Sequence, residues 1–310
     1  MVAAVAATAA LACTPHAGLG SVTFVRGATQ HVLDLETCRE RTRPAAQPQG
    51  TVRWGPLVSP DGRLRATAPV AAGKESIRAG GKILRSWPQW SPNAKNGSPG
   101  PIMLLGWSGD SRWVFYAIDP MGSQSIIADG VQMRAVSLTG ADRPVASMLA
   151  NDDYRAWCGG RLVLTAGGDR IAWHNKRLVT SAPPSWRTRA LVSAADRAWG
   201  SLTCTPGGHA IVVQSEADRG TDMSSVWAHW ALWQVSLDGL EYRLTSPPAG
   251  YSDDSPRFSP DGRTLFFVRS RKGVGALYAL HGGRLLGPLA SLGFDLGYYG
   301  HHAWTYSVTP

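Results

Sequence analysis

The chain has 310 residues, no stretch rich in proline and glycine divides it, and one large domain accounts for its length. Its formal net charge of +9 comes from arginines scattered along the sequence, with no run of basic residues. Because nucleic-acid binding needs clustered basic side chains, we expect no nucleic-acid partner.

The first predicted element is an apolar N-terminal segment. Residues 2–12 are small, apolar and too few to span a bilayer, as in the core of a secretion signal. We therefore assign 1–19 as a signal-peptide-like or anchor segment and 20–310 as one domain, and expect a secreted, periplasmic or envelope-anchored protein. Ala10-Leu11-Ala12-Cys13 is close to a lipoprotein cleavage site, with the leucine one position off, so a lipid on Cys13 is one form of anchor. A disordered alanine-rich tail is the alternative.

A turn motif recurs along the chain, and a strand-like run follows it each time. Pro-Asp-Gly at 260–262 suits a hairpin turn, and Thr264–Val268 is β-branched, aromatic and apolar at nearly every position. Such a strand is expected to be covered on both faces. The marker residues of the turn are Gly62, Ser111, Gly160, Gly208 and Gly262, at intervals of 49, 49, 48 and 54 residues. This period, with several short strands in each unit, is typical of propeller blades.

The two ends of the chain supply a sixth blade. "SVTFVRG" from Ser21 matches the strand "LFFVRS" after the last turn, and "HHAWTYSV" from His301 aligns with "DDSPRFSP" from Asp253. The C-terminal strand is then the innermost strand of a blade whose other strands are N-terminal. We predict an all-β, six-bladed propeller with four-stranded blades, closed by pairing of the terminal strands.

One stretch also resembles a known repeat. Residues 232–270 read "LWQVSLDGLEYRLTSPPAGYSDDSPRFSPDGRTLFFVRS". Leu-Asp-Gly, Arg-Leu-Thr, an acidic residue and aromatic-Ser-Pro-Asp-Gly follow one another as in the TolB-type, WD40-like (PD40) propeller repeat. The resemblance covers roughly residues 20–310. It implies the propeller fold, which hosts many unrelated functions.

The cysteines bear on the compartment. Cys158 and Cys204 lie near the innermost strands of the predicted blades four and five, where an inter-blade disulfide is geometrically allowed and an oxidising compartment would permit it. Two buried free thiols are the alternative. No cysteine has the close paired spacing of a zinc site, and we expect neither a metal nor a cofactor.

Three residue pairs share a similar phase of the repeat, shortly before an innermost strand: Asp152-Asp153, Asp253-Asp254 and His301-His302. In a propeller these positions surround one mouth of the central channel, so we expect the pairs to converge, with Tyr298 and Tyr299 beside them. Such a group suits a cation, a basic peptide or a small polar ligand. The alternative is that these side chains cap turns and bind backbone amides. Trp227 and Trp230, on a long loop of blade five, are candidate rim contacts.

No catalytic motif accompanies these pairs. "GWSGDS" from Gly106 lacks the second glycine of a nucleophile elbow, and the chain has no H-E-x-x-H, P-loop or EF-hand motif. We therefore expect a monomeric, non-enzymatic module that binds a protein or peptide and meets a membrane only through its N-terminal segment. The alternatives are a lyase or hydrolase that uses His301, His302 and the acidic pairs, and a sensor of a cation or small ligand.

Overall fold

The computed structural model describes residues 13–45, 56–89, 100–119, 130–223, 227–297, 299–302 and 304–310. These residues form β-strands and no α-helix, and their single helical turn is a 3-10 turn at Asp152–Tyr154. Within the same ranges, no helix is long and apolar enough to cross a membrane.

The strands form six blades, numbered in chain order. Blade one contains β1 (Ser21–Arg26), β2 (Thr29–Asp34), β3 (Glu40–Pro44) and β25 (Tyr306–Thr309). Blade two contains β4 (Leu57–Val58), β5 (Arg65–Thr67), β6 (Val70–Ala71), β7 (Lys74–Ala79) and β8 (Lys82–Pro88). Blade three contains β9 (Ile102–Trp107), β10 (Trp113–Ile118), β11 (Gly130–Ser137) and β12 (Asp142–Leu149). Blade four contains β13 (Arg155–Cys158), β14 (Arg161–Ala166), β15 (Arg177–Ser181) and β16 (Arg189–Ala190). Blade five contains β17 (Arg197–Cys204), β18 (Ala210–Ala217), β19 (Ala231–Ser236) and β20 (Glu241–Arg243). Blade six contains β21 (Ser252–Phe258), β22 (Thr264–Arg271), β23 (Val274–His281) and β24 (Arg284–Phe294).

Each blade is an antiparallel sheet. Five of the sheets have four strands, and the sheet of blade two has five. The additional strand in blade two arises because β5 and β6 lie on either side of Pro69, which has no N–H for the strand ladder, and both pair with β7. The six sheets confirm the predicted all-β, six-bladed architecture.

Blade one is assembled from both ends of the chain. Strand β25 pairs antiparallel with β1, with Ser21 opposite Thr309 and Phe24 opposite Tyr306. Tyr306 is buried and packs with the apolar side chains of blades one and six. The pairing gives each terminal strand a neighbour and removes two open sheet edges.

The recurrent turn joins the first and second strands of a blade. The turn at 259–262 closes with a hydrogen bond of 2.8 Å from the N–H of Gly262 to the carbonyl of Ser259. Its φ of +73° at Gly262 suits glycine, whereas Ser111 adopts +59° with a side chain. Positive φ values occur at all of the marker residues, Gly62, Ser111, Gly160, Gly208 and Gly262. These turns lie at the end of the blades opposite to the start of the innermost strands, because the first strand of a blade runs from one end to the other.

Apolar side chains fill the space between neighbouring blades. Thr264–Val268 is buried at every position, as expected for a strand covered on both faces. Between blades three and four, Trp186 packs against Trp113 and Phe115. Other clusters lie between blades two and three, four and five, five and six, and six and one. The blades therefore stabilise each other by burying faces that one blade alone would expose.

All four cysteines form disulfides. Cys158 of β13 is joined to Cys204 of β17, which links blades four and five. Cys13 is joined to Cys38, which ties the start of the described chain to blade one. A lipid on Cys13 is therefore wrong for this structure, because a thioether would need the same Sγ atom. The division between 1–19 and 20–310 stays a prediction, and residues 1–12 lie outside the described ranges.

Candidate functional site

A small cavity lies near the start of the innermost strands of blades four, five, six and one. Its volume is about 20 Å³, enough for about one water-sized group. We call it the channel cavity. Its polar lining side chains are Asn151, Asp153, Tyr154, Ser201, Gln214, Asp254, Ser255, His301 and His302.

Two β-bulges shape the wall of the channel cavity. The pairing of β17 with β18 shifts register between Trp199 and Leu202, which places Ser201 in a bulge. The pairing of β21 with β22 shifts between Asp254 and Arg257, and Ser255 takes a φ of +53° there. Bulges re-aim side chains and leave backbone groups unpaired. Gln214 compensates in part, because its Oε1 accepts the N–H of Ser255 at 3.2 Å.

Asp253 and Asp254 are neighbours in β21 but point to opposite sides of the strand. Asp253 is fully buried and forms a two-pronged ion pair with Arg269, with Nε–Oδ1 at 2.6 Å and Nη2–Oδ2 at 2.8 Å. Asp254 lines the channel cavity, is 3% exposed, and neither of its oxygens accepts a hydrogen bond from any described residue. Only Asp254 of this pair is therefore placed to meet a ligand.

The pKa of Asp254 is raised to about 7, chiefly by burial. His302 opposes this rise through its charge. Ser255 and Trp304 lie near enough to stabilise the carboxylate weakly, but neither reaches it with good hydrogen-bond geometry. A buried carboxylate in this state lacks the partners that such groups normally have.

The two carboxylates at 152–153 also differ in position, since one lines the channel cavity and the other does not. Asp153 lines the channel cavity, and its Oδ2 accepts the Ser201 hydroxyl at 2.8 Å. Burial raises the pKa of Asp153, while Arg257 and Ser201 act in the opposite direction. Asp152 is exposed and forms an ion pair with Arg155 at 2.6 Å, outside the cavity.

Both ring nitrogens of His301 are occupied. Its Nε2 lies 2.9 Å from the carbonyl oxygen of Arg170 and must donate to it, so Nδ1 accepts the Tyr154 hydroxyl at 2.8 Å. Burial lowers the pKa of His301 to about 3, so the ring is neutral near pH 7. His301 forms part of the cavity lining, and neither of its ring nitrogens is free to take a proton from a substrate.

His302 has a different environment. Its ring stacks between the rings of Trp227, at 6.1 Å, and Trp304, at 5.3 Å. Burial by itself would lower the pKa of His302, but Asp295, whose Oδ2 lies 3.7 Å from Nδ1, and Asp254 raise it overall. His302 therefore favours the charged form next to the unpartnered carboxylate.

The remaining candidates are more scattered. Tyr298 lies outside the described residues. Tyr299 is half-buried, and the guanidinium of Arg170 lies 5.3 Å from its ring centre. The expectation that Trp230 forms a rim contact is wrong, because it is 1% exposed and packs in the interior beside the cavity. Trp227 is half-buried and stacks on His302.

Several polar lining residues were not foreseen from the sequence: Asn151, Tyr154, Ser201, Gln214 and Ser255. Gly200 next to Ser201 and Pro256 next to Ser255 interrupt strands that are otherwise regular, and such residues mark bulges. That signal could have identified both serines, whereas no sequence pattern distinguishes Gln214.

The channel cavity is a small pocket lined by hydrogen-bond acceptors. Among the described residues, no group of three or more His, Cys, Asp or Glu side chains is arranged to hold a metal ion. The buried carboxylate of Asp254 and the half-buried carboxylate of Asp153 can instead accept hydrogen bonds from donors. The cavity is far smaller than the pockets of about 300–1,000 Å³ that enclose small-molecule substrates.

A larger pocket of about 460 Å³ lies between blades four and five. It contains His174 and Asp218, with Nδ1 and Oδ1 3.0 Å apart. Asp218 also accepts the backbone N–H groups of Asn175, at 2.9 Å, and Gly220, at 2.7 Å. These groups hold two loops together, so their polar atoms are already used within the fold.

Among the comparisons with known proteins, only the one with solved structures gives matches. No family model matches the chain, and no curated protein matches it. The TolB structure from Acinetobacter baumannii is 14% identical with a TM-score of 0.43, over 84% of this chain and 61% of that one. The chain is similar to TolB propellers. The chain spans about three fifths of the length of the Acinetobacter baumannii TolB chain.

Solved structures of enzymes match the chain with similar sequence identities and TM-scores. Oligogalacturonate lyase in complex with manganese is 14% identical with a TM-score of 0.46, over 83% of this chain and 69% of that one. Prolyl oligopeptidase B from Galerina marginata is 12% identical with a TM-score of 0.47, over 87% of this chain and 44% of that one. Likenesses this distant do not separate binding proteins from enzymes, and the propeller fold is established by the six sheets themselves.

Proposed function

We propose that this chain is a non-enzymatic, extracytoplasmic propeller that binds a protein or peptide at the face containing the channel cavity. One observation carries the proposal: Asp254 is buried and without a hydrogen-bond partner among the described residues, beside a space of only about 20 Å³. A carboxylate in this state destabilises the fold. Such residues are typical of sites that are completed by a ligand.

The size of the cavity favours a macromolecular ligand. A substrate that needs a pocket of several hundred Å³ cannot enter, whereas a protein can lie on the surface and insert one small group. Near the mouth, the half-buried ring of Tyr299 would contact the surface of that partner.

The alternative of an enzyme acting through His301 is not favoured. Its Nδ1 and Nε2 are both engaged, and its pKa of about 3 makes it a poor base near neutral pH. For a cation sensor, a metal-binding group of three or more ligands is missing among the described residues.

The disulfides support an extracytoplasmic location. Cys13–Cys38 and Cys158–Cys204 use all of the cysteines of the chain, and stable disulfides persist in oxidising compartments. We propose that the protein acts as a monomer there, without a nucleic-acid partner.

Site-specific photo-crosslinking in the native host tests the proposal. A photoreactive amino acid at position 152 lies on the cavity face, and the same amino acid at position 263 lies in a turn at the opposite end of blade six. We expect a discrete protein adduct from 152 and not from 263. Equal adducts from both positions, or none from 152, would contradict a binding face at the channel cavity.

A further inference from the structure

We propose that the channel cavity receives one primary ammonium group of the bound partner. This inference rests on the proposed function and names the chemistry of the group that enters the cavity. A lysine side chain and a free amino terminus carry the same group, and the test below separates them.

The charge of the site is the first argument. Asp254 presents two oxygens that accept no hydrogen bond from the described part of the chain, and Asp153 shares the lining. A cation at this point would satisfy acceptors that the described residues leave unused. Asp253 cannot play this role, because Arg269 already neutralises it.

The second argument compares the size of the cavity with the size of an ammonium group, and its acceptors with the N–H donors of that group. About 20 Å³ suits a group of the size of water, and an ammonium has three N–H donors. Two of these match the oxygens of Asp254, and the lining offers further acceptors, among them Asp153. A guanidinium is planar and larger, with five N–H donors, and a tetramethylammonium ion has none. The site should therefore discriminate between cations by size and by donors.

Binding should be coupled to proton release. Burial keeps Asp254 partly protonated near pH 7, and a cation beside it favours the ionised form. His302 competes as a resident cation on the same carboxylate. The ionisable groups around Asp254 and the cavity are Asp153, Tyr154, Asp253, Arg257, His301, His302 and Tyr306.

Thermal unfolding with simple amines tests the inference on the full chain. At pH 8 and constant ionic strength, 50 mM n-butylammonium should raise Tm by about 2 °C over sodium chloride, whereas tetramethylammonium should not. The rise should disappear in Asp254→Asn and persist in Asp152→Asn, a control outside the cavity. At pH 7, where its amine is mostly protonated, glycinamide as a mimic of an amino terminus should give a smaller rise than n-butylammonium if a lysine side chain is the natural group, and a larger one if an amino terminus is.

Calorimetry on the native protein avoids any effect of the substitution on folding. Titration of n-butylammonium in two buffers of different ionisation enthalpy at pH 7 should show proton release.

Equal effects of n-butylammonium and tetramethylammonium on Tm, an undiminished rise of Tm in Asp254→Asn, or saturation of the site by sodium or potassium alone would overturn the inference. If Asp254→Asn still cross-links its partner from position 152, the ammonium inference fails while the proposed function stands. If amines bind but no partner cross-links, the proposed function fails.

Discussion

Asp253 and Asp254 are adjacent in β21, yet Asp253 binds Arg269 at 2.6 Å and Asp254 has no hydrogen-bond partner among the described residues. Both carboxylates are buried. The alternation of side chains along a strand sends one toward β22 and the other toward the channel cavity. Two chemically identical neighbours should therefore respond in opposite ways to the same substitution.

We expect Asp254→Asn to stabilise the protein above pH 7. The folded pKa of about 7 lies above the ordinary 3.8, so the native state binds a proton more tightly than the unfolded state between these values. The stability of the native protein then falls as pH rises through this window, and the variant avoids that loss. The gain is at most about 4 kcal/mol at pH 8 and fades toward pH 4. Urea unfolding at both pH values measures it, and a lower stability of the variant at pH 8 would identify Asp254 as a structural cap.

We expect Asp253→Asn to destabilise the protein by about 3 to 5 kcal/mol, because it leaves the Arg269 guanidinium without its buried partner. The same urea experiment at pH 7 measures this loss. A double variant, Asp253→Asn with Arg269→Met, should recover much of the stability, since it removes both charges. A small effect of the single variant would mean that solvent reaches Arg269.

The fold could be predicted from the sequence more fully than the site could. Turn residues such as Gly262 act locally, and five similar turns at a regular interval, together with matching strands at the two chain ends, predict six blades. The site depends on which side of a strand faces the channel, and the bulges at Ser201 and Ser255 affect that locally. The repeat phase therefore identified Asp153 and Asp254 together with Asp152 and Asp253, without separating them. The burial of Trp230 was missed because the course of a long loop is not a local property.

Deletion of residues 301–310 should abolish cooperative folding. This deletion removes β25, whose pairing with β1 completes blade one, and it removes Trp304 and Tyr306 from the cluster between blades six and one. The edge of β1 that β25 covers would be exposed. Circular dichroism and thermal unfolding measure the effect, with removal of Pro310 alone as the control. An unchanged Tm after the longer deletion would mean that blade one is stable without its innermost strand.

The protein exported by its native host should contain no free thiol. Alkylation under denaturing conditions should label no cysteine before reduction and four after it, since Cys13–Cys38 and Cys158–Cys204 use all of them. Replacing Cys158 and Cys204 together by alanine should cost about 2–4 kcal/mol. Peptide mass spectrometry that finds Cys13 carrying a lipid, with Cys38 free, would contradict the first disulfide and restore a lipid anchor.

The two adjacent histidines should titrate far apart. Burial lowers the pKa of His301 to about 3, whereas Asp295 and Asp254 raise that of His302 above 6.5 in spite of burial. His301 is neutral when folded and can accept a proton when unfolded, so its contribution to stability falls as pH drops below about 6.5. His302 acts in the opposite sense, because its contribution to stability is complete below about pH 6.5 and is lost as pH rises through its folded pKa.

Long-range ¹H–¹⁵N spectra of the imidazoles should show His301 as the Nε2–H tautomer down to pH 4, while His302 changes above pH 6.5. Spectra of His301→Gln and His302→Gln assign the signals. Titration of His301 near pH 6 would mean that its bonds to Tyr154 and Arg170 open in solution, and it would restore His301 as a candidate base at the channel mouth.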